Sequence, residues 1–204
     1  MPRGPRQAPA RLPRRAGAPR TALGAGARPA GLSPPASSLI AERGATAAAC
    51  PVSNMKLANG RAMPYLGARA AGVPMGLGTD GTSSNNNLDM FEQMKFFSLL
   101  QKHTGDDPAV APATEVLELA RGYGAPILGP TRLEVEARAD FLLVRHDLPE
   151  TSVGDVDADL VYAATGEVVD TTVVDGRILM RGREVEGMAE VVGEVRERAR
   201  RLTA

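Results

Sequence analysis

A chain of 204 residues can form one ordinary domain with a useful core, or one domain with a small appendage. Its 24 basic and 24 acidic side chains cancel, so no global electrostatic attraction to nucleic acid or membrane is expected. The single cysteine, Cys50, excludes an internal disulfide and a multi-cysteine zinc site and points to a reducing, cytoplasmic setting, and no apolar run reaches the roughly 20 residues of a membrane span.

Residues 1–38 carry Arg3, Arg6, Arg11, Arg14, Arg15, Arg20 and Arg28 and no acidic residue, in a background of Pro, Ala and Gly. With so few large apolar side chains, burial cannot offset the entropy of ordering, and a disordered tail is expected. A nucleic-acid arm would need aromatics for base stacking, a transit peptide amphipathic periodicity, and a secretory signal a continuous apolar stretch; the segment offers none of these.

Order is expected from Leu39. LIAERG reads as a helix end closed by Gly44, followed by a short buried strand over Ala45 to Cys50 that Pro51 stops. GRAMPYLGARAAG has the apolar spacing of a short helix ending at Gly72, and VPMGLG reads as a second buried strand. Strand, helix and strand at this length predict a βαβ unit and a parallel sheet, with Asp80 at the carboxyl end of a strand. Asn85, Asn86 or Asn87 is expected to cap the next helix, with Asp89 and Glu92 in its first turn. Leu88, Phe91, Met94, Phe97 and Leu100 recur at helical spacing and predict its core face. HTGDDPAVAP reads as a loop, and Thr114 as the cap of a further helix, TEVLELARGYG. Beyond Gly129, ADFLLVRHD, VVDTTVVDGRILM and GREVEG predict short antiparallel strands with a turn at Asp175-Gly176, followed by a charged helix over Met188 to Leu202.

The stretch Gly78-Thr79-Asp80-Gly81 holds a carboxylate between glycines at a strand end. By itself it is open to two readings: a reactive or ligating group, or a turn aspartate that accepts backbone hydrogen bonds. No lysine follows the glycines, against a phosphate-cradling loop, and the acidic residues do not alternate as a calcium loop requires. Ser53 and Asn54, just past the preceding strand, and Thr82, Ser83 and Asn85 are candidates to line a substrate pocket, with turn capping the alternative role.

CPVSNMKLANG, Cys50 to Gly60, together with GVPMGLGTDGTSSNNNLDMFEQMKFFSLLQK, Gly72 to Lys102, resembles the amidohydrolase superfamily, in the branch of methylthioadenosine and S-adenosylhomocysteine deaminases and triazine chlorohydrolases. ARADFLLV and DLVYAATGEVVDTTVVDGRILMRGREV resemble that family's closing β segment, so the likeness covers Leu39 to Gly187. The resemblance implies part of an α/β (β/α)8 (TIM) barrel over 39–130, a β-sandwich segment over 131–187 and a carboxyl-terminal helix over 188–204. It implies a hydrolase of non-peptide carbon–nitrogen bonds in which a divalent metal, zinc in most members, activates water. Asp80 would be both metal ligand and proton acceptor, and the substrate an amino-purine nucleoside or an amino- or chloro-heterocycle.

The chain also departs from the family pattern. It has no His-x-His pair; its two histidines, His103 and His146, match no ligand position; and Ala49 stands where the family usually has a histidine. A catalytic zinc needs about three protein ligands, and the motif supplies one. Three readings follow: an enzyme by descent, a truncated and inactive remnant, or a subunit whose barrel is completed by another chain that carries the histidines; a homo-oligomer is the other possible assembly. The change of texture at Leu39 is what a shifted reading frame or misplaced start would produce.

Overall fold

The computed structural model describes residues 22–24, 34–125, 132–151 and 154–203. The three-residue strand β1 (Ala22–Gly24), helix α1 (Pro34–Glu42), β2 (Thr46–Ala49), α2 (Pro51–Lys56), α3 (Tyr65–Ala70) and β3 (Met75–Leu77) form the first part. Its sheet has the order β1-β2-β3 and is parallel throughout, with Ala22 opposite Thr46 and Ala47 opposite Met75. The expected βαβ unit is present. Ahead of Leu39 the described residues include β1, which pairs with β2, and the start of α1 at Pro34; the rest of the expected tail lies outside the described residues.

The same device ends α1 and α3. Gly44 and Gly72 adopt left-handed φ of 62° and 72°, and the next amide reaches back to the last turn, Ala45 N to Ile40 O and Val73 N to Ala68 O. These positions favour glycine because a Cβ there meets the following carbonyl, and the bonds satisfy carbonyls left open at a helix end. Each helix is thereby turned directly into a strand. β3 is not an open edge along its whole length: Met75 N donates to Gly124 O at 2.9 Å.

A short helical turn, α4 (Thr82–Asn85), leads to α5 (Met90–Gly105), α6 (Ala113–Ala120) and β4 (Phe141–Val144). The cap of α5 is Asp89 rather than an asparagine. Its Oδ1 accepts from Phe91 N at 2.9 Å, which removes Asp89 from the first turn, while Asn87 Oδ1 accepts from Asp89 N. Asp89 also ties the two halves together, because its other oxygen accepts from Gly166 N at 2.8 Å. Phe91, Met94 and Phe97 are buried as the spacing predicts, but Leu88 precedes the helix and is exposed, and Leu100 is half-buried. The helix runs through His103 to Gly105, so the loop starts later than expected. Thr114 lies inside α6, whose cap position is Pro112.

The remaining part contains α7 (Val156–Ala158), continued as a π-helical turn over Asp159–Ala163, then a 3-10 turn, β5 (Val169–Val174), β6 (Arg177–Met180) and α8 (Met188–Thr203). Its sheet is antiparallel in the order β4-β5-β6. The β5–β6 hairpin turns through Asp175 and Gly176, both at positive φ, the pair of conformations that a tight two-residue hairpin needs. GREVEG forms no strand; its Glu184 makes an isolated bridge with the preceding Arg181. One apolar cluster joins both halves: β2, β3, α3, α5 and α6 supply most of it, and Val161, Val168 and Val169 complete it.

Candidate active site

Asp80 lies three residues beyond the carboxyl end of β3, in the left-handed region at φ 61°. Aspartate tolerates that region better than most residues with a side chain, because its short carboxylate can hydrogen-bond locally. Two contacts fix the group. Ser53 Oγ donates to Oδ2 at 2.7 Å, and Gly81 N donates to Oδ1 at 2.8 Å. Ser53 is buried, while the carboxylate it holds is exposed. The Ser53 hydroxyl first, the Gly81 amide second and Ser84 third hold the Asp80 carboxyl below the usual aspartate range. At neutral pH the site therefore presents an oriented, ionised oxygen acceptor at the end of a parallel strand.

The loop carrying Asp80 is braced from below. Asn85 is buried, and its Nδ2 donates to Thr79 O at 2.7 Å, closing the turn from 79 to 85. Ser84 Oγ donates to Gly81 O at 2.9 Å. Lys56, at the end of α2, donates to Ser83 O at 3.3 Å and to Asn86 Oδ1. Cys50 sits under the loop; burial, followed by the Asp80 charge, pushes its thiol pKa up. Gly78 allows this close approach, since a Cβ there would lie 3.3 Å from Cys50 Sγ.

Of the pocket candidates Ser53, Asn54, Thr82, Ser83 and Asn85, for which turn capping is the other reading, Ser53 grips Asp80 and Asn85 braces the loop. Thr82 and Ser83 are exposed on α4, where Ser83 offers its carbonyl to Lys56. Asn54 faces a different space, a cavity of about 240 Å³ between α2 and α5 that Cys50, Asn59, Arg61, Phe97 and Gln101 also line. Lys56 and Ser84 were missed because each acts on backbone that a turn brings to it, and no spacing rule marks that.

Among the described residues no group of three or more His, Cys, Asp or Glu side chains could hold an ion. His103 is carried on α5, and His146 Nε2 lies 3.3 Å from Asp159 Oδ2 in the other half. The described residues do not by themselves fit a complete catalytic zinc site.

A family profile described as "Amidohydrolase family" matches residues 5–179, starting well ahead of Leu39 and stopping short of Gly187. The chain is 45% identical over 167 residues to a 5'-deoxyadenosine deaminase of Methanoregula boonei, covering 80% of this chain and 38% of that protein. It is 47% identical over 165 residues to a 5-methylthioadenosine/S-adenosylhomocysteine deaminase of Halobacterium salinarum, covering 79% and 37%. A crystal structure of an adenosine deaminase from Xanthomonas campestris with bound zinc matches with a TM-score of 0.78 at 33% identity, over 85% of this chain and 41% of that one. The chain thus spans about two fifths of the length of the relatives it matches.

Proposed function

This chain belongs to the amidohydrolase family, and from that premise we propose that it forms the closing part of a hydrolytic deaminase acting on an amino-purine nucleoside. The observation that carries this reading is the held carboxylate of Asp80, ionised and oriented by Ser53 and Gly81 at the end of β3. In hydrolytic deamination, water adds at the amino-bearing ring carbon, ammonia leaves and a carbonyl remains. The proton that the water gives up has Asp80 as its acceptor, a role suited to a carboxylate that stays ionised at neutral pH. Both sequence relatives act on nucleoside-type substrates by name, which favours that class over a chloro-heterocycle.

The zinc of the related deaminase does not fit the residues here taken by themselves, so no step of the reaction is drawn through it. Among the described residues Asp80 is the group placed to touch such an ion; its remaining ligands would come from other polypeptide. A second reading rests on exposed apolar strands: Leu142 and Leu143 of β4 and Ile178 and Leu179 of β6 are each about half-exposed, as expected of a subunit that another chain completes. The single cysteine suits a cytoplasmic protein, and no helix among the described residues is long and apolar enough to cross a membrane.

The test measures zinc content and ammonia release from 5'-deoxyadenosine. The chain alone is expected to bind well under one zinc and to turn over nothing. Supplied with the histidine-bearing remainder of a relative, it is expected to gain deamination that Asp80→Asn removes. Activity that survives Asp80→Asn would overturn the role given to Asp80.

A further inference from the structure

We propose that Gln93 is a positioning residue for Asp80, acting at a distance through α2 and Ser53. The proposal rests on the reading of Asp80 as the reacting carboxylate, but its geometry stands independently of any turnover.

A helix leaves its first amides without intrahelical partners, and a side chain at the cap position normally accepts one of them. The start of α2 has no such cap. Cys50 occupies the cap position and makes no capping hydrogen bond; Pro51 follows and has no amide hydrogen. The first amide needing an acceptor is therefore that of Val52, and it donates to Gln93 Oε1 at 3.3 Å, 41 residues along the chain on α5. Gln93 thus does from a neighbouring helix what a serine or aspartate would do locally. The next residue of α2 after Val52 is Ser53, whose hydroxyl orients Asp80. At its other end, α2 is held by Lys56 on Ser83 and Asn86. With both ends tied, α2 has little freedom to slide away from the Asp80 loop.

The placement of Gln93 is unusual enough to need a reason. It is fully buried between Phe91 and Met94 on the core side of α5, where an apolar residue of similar size would pack without loss. Its Nε2 has no hydrogen-bond partner among the described residues. A buried amide half-satisfied in this way is destabilising by itself. Its retained acceptor is what α2 requires, and the amide cannot be turned over without setting its NH2 against the Val52 amide.

The experiment uses the full chain, isotopically labelled, with two NMR readouts. The first is hydrogen exchange of the Val52 amide, which should be protected in the unmodified chain because Gln93 accepts it. Exchange there as fast as in an unstructured peptide overturns the proposal without any variant being made. The second is the Gly81 amide resonance, which reports the hydrogen bond to Asp80 Oδ1. Ser53→Ala is expected to move it, Gln93→Leu to move it in the same direction, and Gln93→Leu added to Ser53→Ala to move it no further. Gln93→Glu, which keeps a carbonyl acceptor at the same place, is expected to restore both the Val52 protection and the Gly81 position. A Gln93→Leu chain with lowered stability but an unmoved Gly81 resonance would mean that Gln93 only fills space. These readouts need neither metal nor substrate, so failure of the deaminase reading leaves them interpretable.

Discussion

Helices α5 and α8 are each 16 residues long, and they are used in opposite ways. α5 has a modest apolar stripe interrupted by Gln93, Ser98 and Gln101, yet it buries six residues and touches both halves of the chain through Phe97, Ser98 and Asp89. α8 repeats apolar residues cleanly at Met188, Val191, Val192, Val195 and Leu202, yet buries none of them. Periodicity shows that a helix has a face; whether the face is covered depends on what the rest of the fold sets against it. α8 is held together locally instead, by Glu194–Arg198 and Glu197–Arg201 pairs one turn apart.

Truncation tests this contrast most strongly. Phe97 is 2% exposed and meets Tyr65 edge-on, ring centroids 5.1 Å apart. Phe97→Ala should cost about 3–5 kcal/mol in urea unfolding, a large share of the about 5–15 kcal/mol that holds an ordinary domain together. Val195→Ala in α8 should change the same measurement by at most about 0.5 kcal/mol. A loss at Val195 as large as that at Phe97 would show that α8 is docked in solution and would end the comparison.

Glycines provide a second test, with opposite signs. A Cβ on Gly124 would fall 2.7 Å from Met75 O, on the backbone that pairs with β3, so Gly124→Ala should destabilise by about 1–3 kcal/mol. Gly193 in α8 has nothing within 4 Å of its added Cβ, so Gly193→Ala should stabilise by about 0.5–1 kcal/mol through helix propensity alone. Thermal midpoints of the two variants should move in opposite directions.

Strands β2 and β3 of the parallel unit were legible in the sequence because they are short, buried on both faces and bounded by Gly44, Pro51 and Gly72, each of which acts through its own backbone. Asp80 was legible for the same reason, as a carboxylate at a strand end. The cap of α5 was misread because Asn85, Asn86, Asn87 and Asp89 all have capping chemistry, and tertiary contact with Gly166 favours the last of them. The π-helical turn at Asp159–Ala163 left no local mark, and the roles of Ser53, Lys56 and Gln93 depend on partners 27 to 41 residues away.

Polar contacts separate the regions on acidification. The folded-state pKa of Asp80 lies below the ordinary value of 3.8, with Ser53 the largest cause. A depressed carboxylate contributes stability that is present above the unfolded pKa and lost as pH falls through the folded one. The stability difference between the unmodified chain and Ser53→Ala should therefore be constant at neutral pH and narrow as pH drops below 3.8. Glu194→Gln, which removes an exposed pair in α8, should stay within about 0.5 kcal/mol at every pH and vanish in high salt.

The smallest effect is expected at Cys50, the neighbour that senses the Asp80 charge. Burial is the larger cause of its raised pKa and the Asp80 carboxylate the next, so its thiolate is scarce at neutral pH and alkylation should be slower than for a free thiol. Asp80→Asn removes only the second cause and should speed alkylation modestly, while the burial contribution stays. Ser53→Ala leaves the charge in place and frees one oxygen of Asp80, so it should change the Cys50 rate less than Asp80→Asn does. The reverse order, with Ser53→Ala the faster of the two, would show that α2 opens when its grip on Asp80 is lost, making the local fold, and not the charge, what protects the thiol.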